Sequence, residues 1–530
     1  MFHQLLTPVE GSLFFSFLVA LLPIAVVLVL LGVMRRPAWQ ASLVGLLTAL
    51  VIAVLLWQMP LDLALYSAAS GGVFALWPVM WIVFNALVLY NIAVHSGRFD
   101  AFRRWVINNL PNDRRIVLVV IGFCFGALLE GIAGFGTPVA ITSALLILLG
   151  FPALEALVFT LIFNTAPVAF GALGVPVTTL GAVTGLSDTT LGAMIGRQLP
   201  FLALLLPFYV IGIYGGLKSV RALWPVLLVA GGSFALTQFG VSNYINYALT
   251  DVLSSLISLL ATVGFLKFWK TPADPAFAVA SRQAQEERLA PVSGWVPWIL
   301  VTGVVIAWMT FKLNLIGEIK YEWPHLHNAV FITLYDQPYA AVWTFQPLAT
   351  GTAILVSAIL TALLVRVGFK GFTQALVESW VQIRLAILTV TLIIALAYLM
   401  NYAGMTYTLG LAVASVGFLF PLLSAFLGWV AVFLSGSDTS GNALFGNLQV
   451  VAARQLDLDP VLIAATNSSG GVMGKMISPQ NISTGTALTE LKGKEGLVLA
   501  RTFKHSIILT FLLGLLVLAQ QYLMPWMIPG

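Results

Sequence analysis

Charged side chains are scarce in this sequence, and Glu130, Asp438 and Lys475 stand where apolar residues surround them. Glu130 opens the segment Glu-Gly-Ile-Ala-Gly-Phe-Gly-Thr-Pro at 130–138, where glycine and proline interrupt a helix. Asp438 has a similar setting in Ser-Gly-Ser-Asp-Thr-Ser-Gly-Asn at 435–442. A carboxyl group taken out of water favours its neutral form, so either residue is suited to carry a proton. Lys475, between Gly474 and Met476, is suited to draw a small anion.

Each carboxylate is followed, at a spacing near one helical hairpin, by an amide–hydroxyl pair: Asn164-Thr165 after Glu130, and Asn467-Ser468 after Asp438. These side chains both donate and accept hydrogen bonds. Freed amides at a helix start favour a carboxylate. With Gly134, Gly136 and Thr137 from the first break, Ser437 and Thr439 from the other, and Ser478 beyond Lys475, they form the candidate binding set. Two plainer readings stay open. Asn and Thr also join packed helices, and a lysine near a helix end also anchors at a membrane face.

Other chemistries fit less well. Residues 470–476 lack the four-residue gap and the hydroxyl after lysine that a phosphate loop needs. His325 and His327 lie in a polar loop without a carboxylate partner, and Cys124 is the one cysteine. With no nucleophile–base constellation and no metal-ligand cluster, the sequence reads as neither an enzyme nor a cofactor protein.

The elements that must position these residues are membrane helices. Hydrophobic residues make up 60% of the chain and charged ones 8%, with a mean hydropathy of +0.99. A soluble domain carries about 25% charged residues. Apolar stretches near the roughly 20 residues needed to cross a bilayer recur throughout, which predicts an all-α polytopic membrane protein of roughly 12–14 transmembrane helices. Shorter stretches cluster near 116–175 and 405–482, the mark of two sets of broken or re-entrant helices. Residues 1–11 carry no basic run, and the apolar stretch that follows is long enough to span, so it reads as a span and not a removable leader.

Lysine and arginine in short loops orient the chain. Arg98, Arg103, Arg104, Arg114 and Arg115 place loop 95–115 in the cytoplasm, with the N-terminus and the aromatic segment 313–345 outside. The polar stretch 271–294 reads as a cytoplasmic connector within one transport domain, 1–530, between an N-terminal half, 1–270, and a C-terminal half, 295–530. One cluster of short spans in each half suggests an internal repeat of inverted topology. The net charge of +5 is scattered, which favours anchoring in the lipid bilayer over nucleic-acid binding.

At the same islands the sequence resembles the lactate permease family of bacteria. The resemblance rests on residues 122–127, 130–140, 164–172, 196–201, 231–235, 434–440 and 504–506, and on 470–480, which is similar to GGVTGKMISPQ with Met473 in place of Thr. It departs from the family pattern at Thr137 and Gly441, where relatives have Ala and Ser. The resemblance implies proton symport of L-lactate, and also of D-lactate and glycolate, across a bacterial inner membrane. The mechanism expected is binding near the midplane, with Glu130 or Asp438 carrying the proton and one bundle rocking against the other. A sodium-coupled carboxylate carrier is the alternative, since carbonyls at broken helices also bind sodium. A channel or a membrane-embedded enzyme fits less well.

Overall fold

The computed structural model describes residues 1–529 except 133, 135–136, 273, 279–288, 487–488 and 493. Ten helices among the described residues are long and apolar enough to cross a membrane, or up to eleven if one bent pair is counted as a span. Helices suit this solvent because each satisfies its own backbone N–H and C=O groups. One of the ten contains a reversal. As a straight rod the helix Leu199–Tyr244 would run about 70 Å, against a hydrocarbon core of about 30 Å. It turns at Gly216, where φ is 70° and ψ 178°. A Cβ on Gly231 would lie 2.5 Å from the carbonyl oxygen of Leu204, so the two arms lie side by side.

Burial separates the centre from the lipid face. Every residue in the apolar window of Arg114–Ile132 is buried, against 28% in Leu13–Leu31. The latter exposes Phe14, Leu22 and Val29. The helices that build the site are α1 (Arg114–Ile132), α2 (Thr137–Leu148), α3 (Ala153–Phe163), α4 (Gly171–Thr184), α5 (Thr250–Phe268), α6 (Phe420–Ser435), α7 (Asp438–Gln455), α8 (Pro460–Lys475) and α9 (Pro479–Thr486). The order helix, break, helix, turn, helix, break, helix occurs twice, in α1–α4 and in α6–α9. The α3–α4 break bends the chain by 65°.

Segment 313–345 adds short strands to the helical fold. Ile319–Glu322 pairs antiparallel with Val342–Phe345, and Phe2–His3 pairs parallel with Val330 and Phe331. The chain start and this aromatic segment therefore share one face of the molecule. The arginine-rich loop contains the helix Arg98–Asn108, which packs on Pro291–Trp295. There Arg98 donates to the carbonyl of Ser293, and Arg104 to that of Leu289.

Candidate functional site

The C-terminus of α1 and the C-terminus of α8 meet in the interior. Lys475 Nζ lies 2.6 Å from Glu130 Oε1, and both side chains are buried. Asn164, at the end of α3, donates from Nδ2 to Glu130 Oε2 at 2.9 Å. The breaks after Glu130, after Asn164 and after Lys475 thus bring three polar groups to one point. A buried pair like this holds only with close geometry and further hydrogen bonds, because each ion loses several kcal/mol of hydration.

The second carboxylate starts α7. Gly436 is left-handed with φ of 73°, and Ser437 caps α7 by accepting from the Ser440 N–H. This turn leaves Asp438 buried, with Oδ2 accepting from Ser468 Oγ at 2.5 Å and Asn442 Nδ2 at 3.3 Å. Its Oδ1 makes no hydrogen bond among the described residues.

Between the two carboxylates lies a cavity of about 40 Å³. Glu130, Asp438, Lys475, Ser437, Thr439 and Gly134 line it, with Gly171 and Ala172 of α4 and Gln480 and Asn481 of α9. That volume is close to one water's share of the liquid, about 30 Å³. Two larger cavities are lined by other parts of the same helices. One of about 820 Å³ reaches Thr178 and Thr184 of α4 and Asn447 and Arg454 of α7, under Tyr335 and Tyr339 of the aromatic segment. Another, of about 390 Å³, shares Gln480 with the small cavity and is also lined by Arg35 and Arg36. Helices that line the small cavity thus also line the two larger spaces.

A profile of the L-lactate permease family matches residues 16–524. The chain belongs to that family. It is 42% identical to the glycolate permease GlcA of Escherichia coli (strain K12), covering 98% of each chain. It is 40% identical to the L-lactate permease of Bacillus subtilis (strain 168), covering 99% of each, and 40% identical to that of Salmonella typhimurium, covering 98% of each. The chain is accordingly a transporter and not an enzyme, a multi-pass protein of the bacterial inner membrane.

Several candidate residues of the transporter stand behind the cavity wall. Asn467 donates to Asn442 Oδ1 at 2.9 Å and accepts from Gln449 Nε2 at 2.7 Å, and Gln449 is in turn bonded to Ser424. Ser468 reaches the cavity only through Asp438. Thr165 spends its hydroxyl on the carbonyl of Ile162 at 2.7 Å. Ser478 is buried, and its Oγ makes no hydrogen bond among the described residues. Gly136 lies outside the described residues, as does the side chain of Thr137.

The glycines around Lys475 have a packing role. A Cβ on Gly470 would lie 2.2 Å from the carbonyl oxygen of Ala425, and one on Gly474 2.2 Å from that of Trp429. A Cβ on Gly428 would lie 2.0 Å from the carbonyl oxygen of Asn467. The pair Gly470 and Gly474 is a small-residue repeat that lets α6 and α8 touch backbone to backbone. This contact fixes where Lys475 emerges.

Sequence reasoning passed over Gln480 and Asn481, although both belong to the same polar stretch. Asn481 Nδ2 donates to the carbonyl of Gly436 at 3.0 Å, tying α9 to the start of α7. It also passed over Ala172, left-handed with φ of 46°, in the turn that opens α4. No periodicity marks such a turn in advance.

Proposed function

We propose that the chain imports L-lactate, and also D-lactate and glycolate, together with a proton, and that the Lys475–Glu130 pair is the coupling device. The names of the relatives support the substrate class. The observation that carries the coupling is that the one buried lysine at the cavity is held by a carboxylate. The carboxylate of the substrate competes for that lysine. When it takes Lys475, Glu130 loses its counter-ion, and an uncompensated buried charge costs several kcal/mol. Taking up a proton removes that charge. One anion and one proton then bind together, which avoids the about 2.3 kcal/mol per charge that an anion meets at 100 mV, inside negative.

Asp438 is the second proton-coupling candidate, because Oδ1 keeps an open acceptor site. Ser437, Thr439, Gly134 and Ser478 frame the substrate. Asn164, Thr165, Asn467 and Ser468 hold the two carboxylates and the breaks in register. The small cavity, whose lining helices also border two larger ones, supports an alternating-access cycle in which the two halves, 1–270 and 295–530, rock about the site and open it to one larger cavity and then the other.

The test is proton uptake by the purified protein on adding lactate in weak buffer, read with a pH indicator. The coupling device predicts one proton taken up per lactate bound, and none in Glu130→Gln. Lactate binding with no proton uptake by the wild type overturns it.

A further inference from the structure

A third carboxyl group lies behind the pair. Asp251, in the first turn of α5, is completely buried. Among the described residues, neither Oδ1 nor Oδ2 has a hydrogen-bond partner. The nearby hydroxyls are committed elsewhere: Thr250 to the carbonyl of Asn246, Ser254 to that of Thr250 and Ser255 to that of Val252. Asp251 packs on the residue next to Glu130, since a Cβ on Gly131 would lie 2.8 Å from Asp251 Cβ. Glu130 and Lys475 are the charged groups that act on it.

The other elements packed against α5 bring it no counter-charge. Cys124 of α1 is bonded to Ser258, and Tyr247, just before α5, donates to Asp188. The arms of Leu199–Tyr244 carry Tyr209, Tyr214, Lys218, Arg221 and Tyr244, none paired with Asp251, and α4 has no ionisable side chain. Of the three buried carboxyls around the site, Glu130 has Lys475, and Asp438 has Ser468 and Asn442. Among the described residues, Asp251 has neither an ion-pair partner nor a hydrogen-bond donor. A bare carboxylate there would cost far more than the neutral acid.

We propose that Asp251 stores the coupled proton. It holds the proton while Glu130 is paired with Lys475 and gives it to Glu130 when Lys475 turns to the substrate. The transfer breaks the Asp251 O–H bond and forms a Glu130 O–H bond, and Asp251 regains a proton from water on the side to which the site is open. This inference rests on the symport reading and adds a second protonation site to it.

Two measurements on the full chain test it. The first is infrared spectroscopy of the purified wild type, with isotope-labelled aspartate marking aspartic-acid C=O bands. A neutral aspartic-acid band that responds to lactate and is absent in Asp251→Asn is expected. No such band overturns the inference, whatever the transport data show. The second compares uphill uptake with lactate counterflow in proteoliposomes. Each pH unit across the membrane drives about tenfold accumulation in a one-to-one symport. Asp251→Asn is expected to fall to no accumulation while counterflow persists. Wild-type accumulation in Asp251→Asn overturns the inference. A lactate-responsive band together with no proton-driven accumulation by the wild type supports the proton site and overturns the symport reading instead. If Asp251→Asn does not fold, Asp251→Glu takes its place: the lactate-responsive band should leave the labelled-aspartate set, and a band unchanged in Asp251→Glu overturns the inference.

Discussion

Lys475 Nζ and Glu130 Oε1 lie 2.6 Å apart although 345 residues separate them in the chain. The contact joins the ends of α1 and α8, so it ties the two sets of broken helices to each other. Removing either partner leaves a buried charge alone. Glu130→Gln and Lys475→Met should each lose about 3–5 kcal/mol of stability, seen as a lowered Tm in detergent. The double variant should regain most of that stability and still fail to accumulate lactate. A double variant no more stable than the singles would mean that the pair is not the shared interaction described here.

The support of Asp438 is a separate matter. Ser468 donates to Oδ2 at 2.5 Å, and Asn442 does so at 3.3 Å. Ser468→Ala removes the shorter bond, and a hydrogen bond to a charged group is worth about 1.5–3 kcal/mol. The expected result is a raised KM for lactate with a folded protein, measured by initial uptake rates. An unchanged KM would place Asp438 outside the substrate path.

The backbone contact of α6 with α8 predicts sharp sensitivity to one added methyl group. Gly470→Ala and Gly428→Ala set a Cβ 2.2 Å and 2.0 Å from carbonyl oxygens of the facing helix. Overpacking of this kind costs about 1–3 kcal/mol or more, and it displaces Lys475. Gly264 of α5 meets nothing within 4 Å, so Gly264→Ala should be neutral or stabilise by up to about 1 kcal/mol. Thermal unfolding of the three variants in one detergent separates these outcomes.

The two members of the Asn164-Thr165 pair should part company. Asn164 bonds Glu130, whereas Thr165, in the turn after α3, bonds the carbonyl of Ile162. Asn164→Leu should sharply reduce uptake, and Thr165→Val should leave it nearly intact. Equal loss in both would show that the hydroxyl of Thr165 meets the substrate.

Much of this arrangement is legible in the sequence, because membrane burial gives polar residues unusual weight. An apolar chain that keeps Glu130, Asp438 and Lys475 among helix breakers announces where its interior chemistry lies, and the structure lines one cavity with all three. What distance along the chain hides is partnership. Nothing in residues 470–476 says that Lys475 finds Glu130, or that Gly470 and Gly474 serve contact with α6. Asp251 reads as an ordinary acidic residue in the first turn of a helix, where the helix dipole favours it. Its isolation appears only when α1 packs across it. The reversal at Gly216 is legible by contrast, since the apolar stretches 198–216 and 222–239 are separated by Lys218 and Arg221.

The central claim is that a proton gradient drives the uptake, and lactate accumulation in proteoliposomes with an imposed inward proton gradient and no sodium tests it most directly. The account predicts saturable, uphill accumulation that increases as the outer pH falls, collapses with a protonophore and is absent in Glu130→Gln. No accumulation under a verified proton gradient, with uptake restored by sodium, would contradict it.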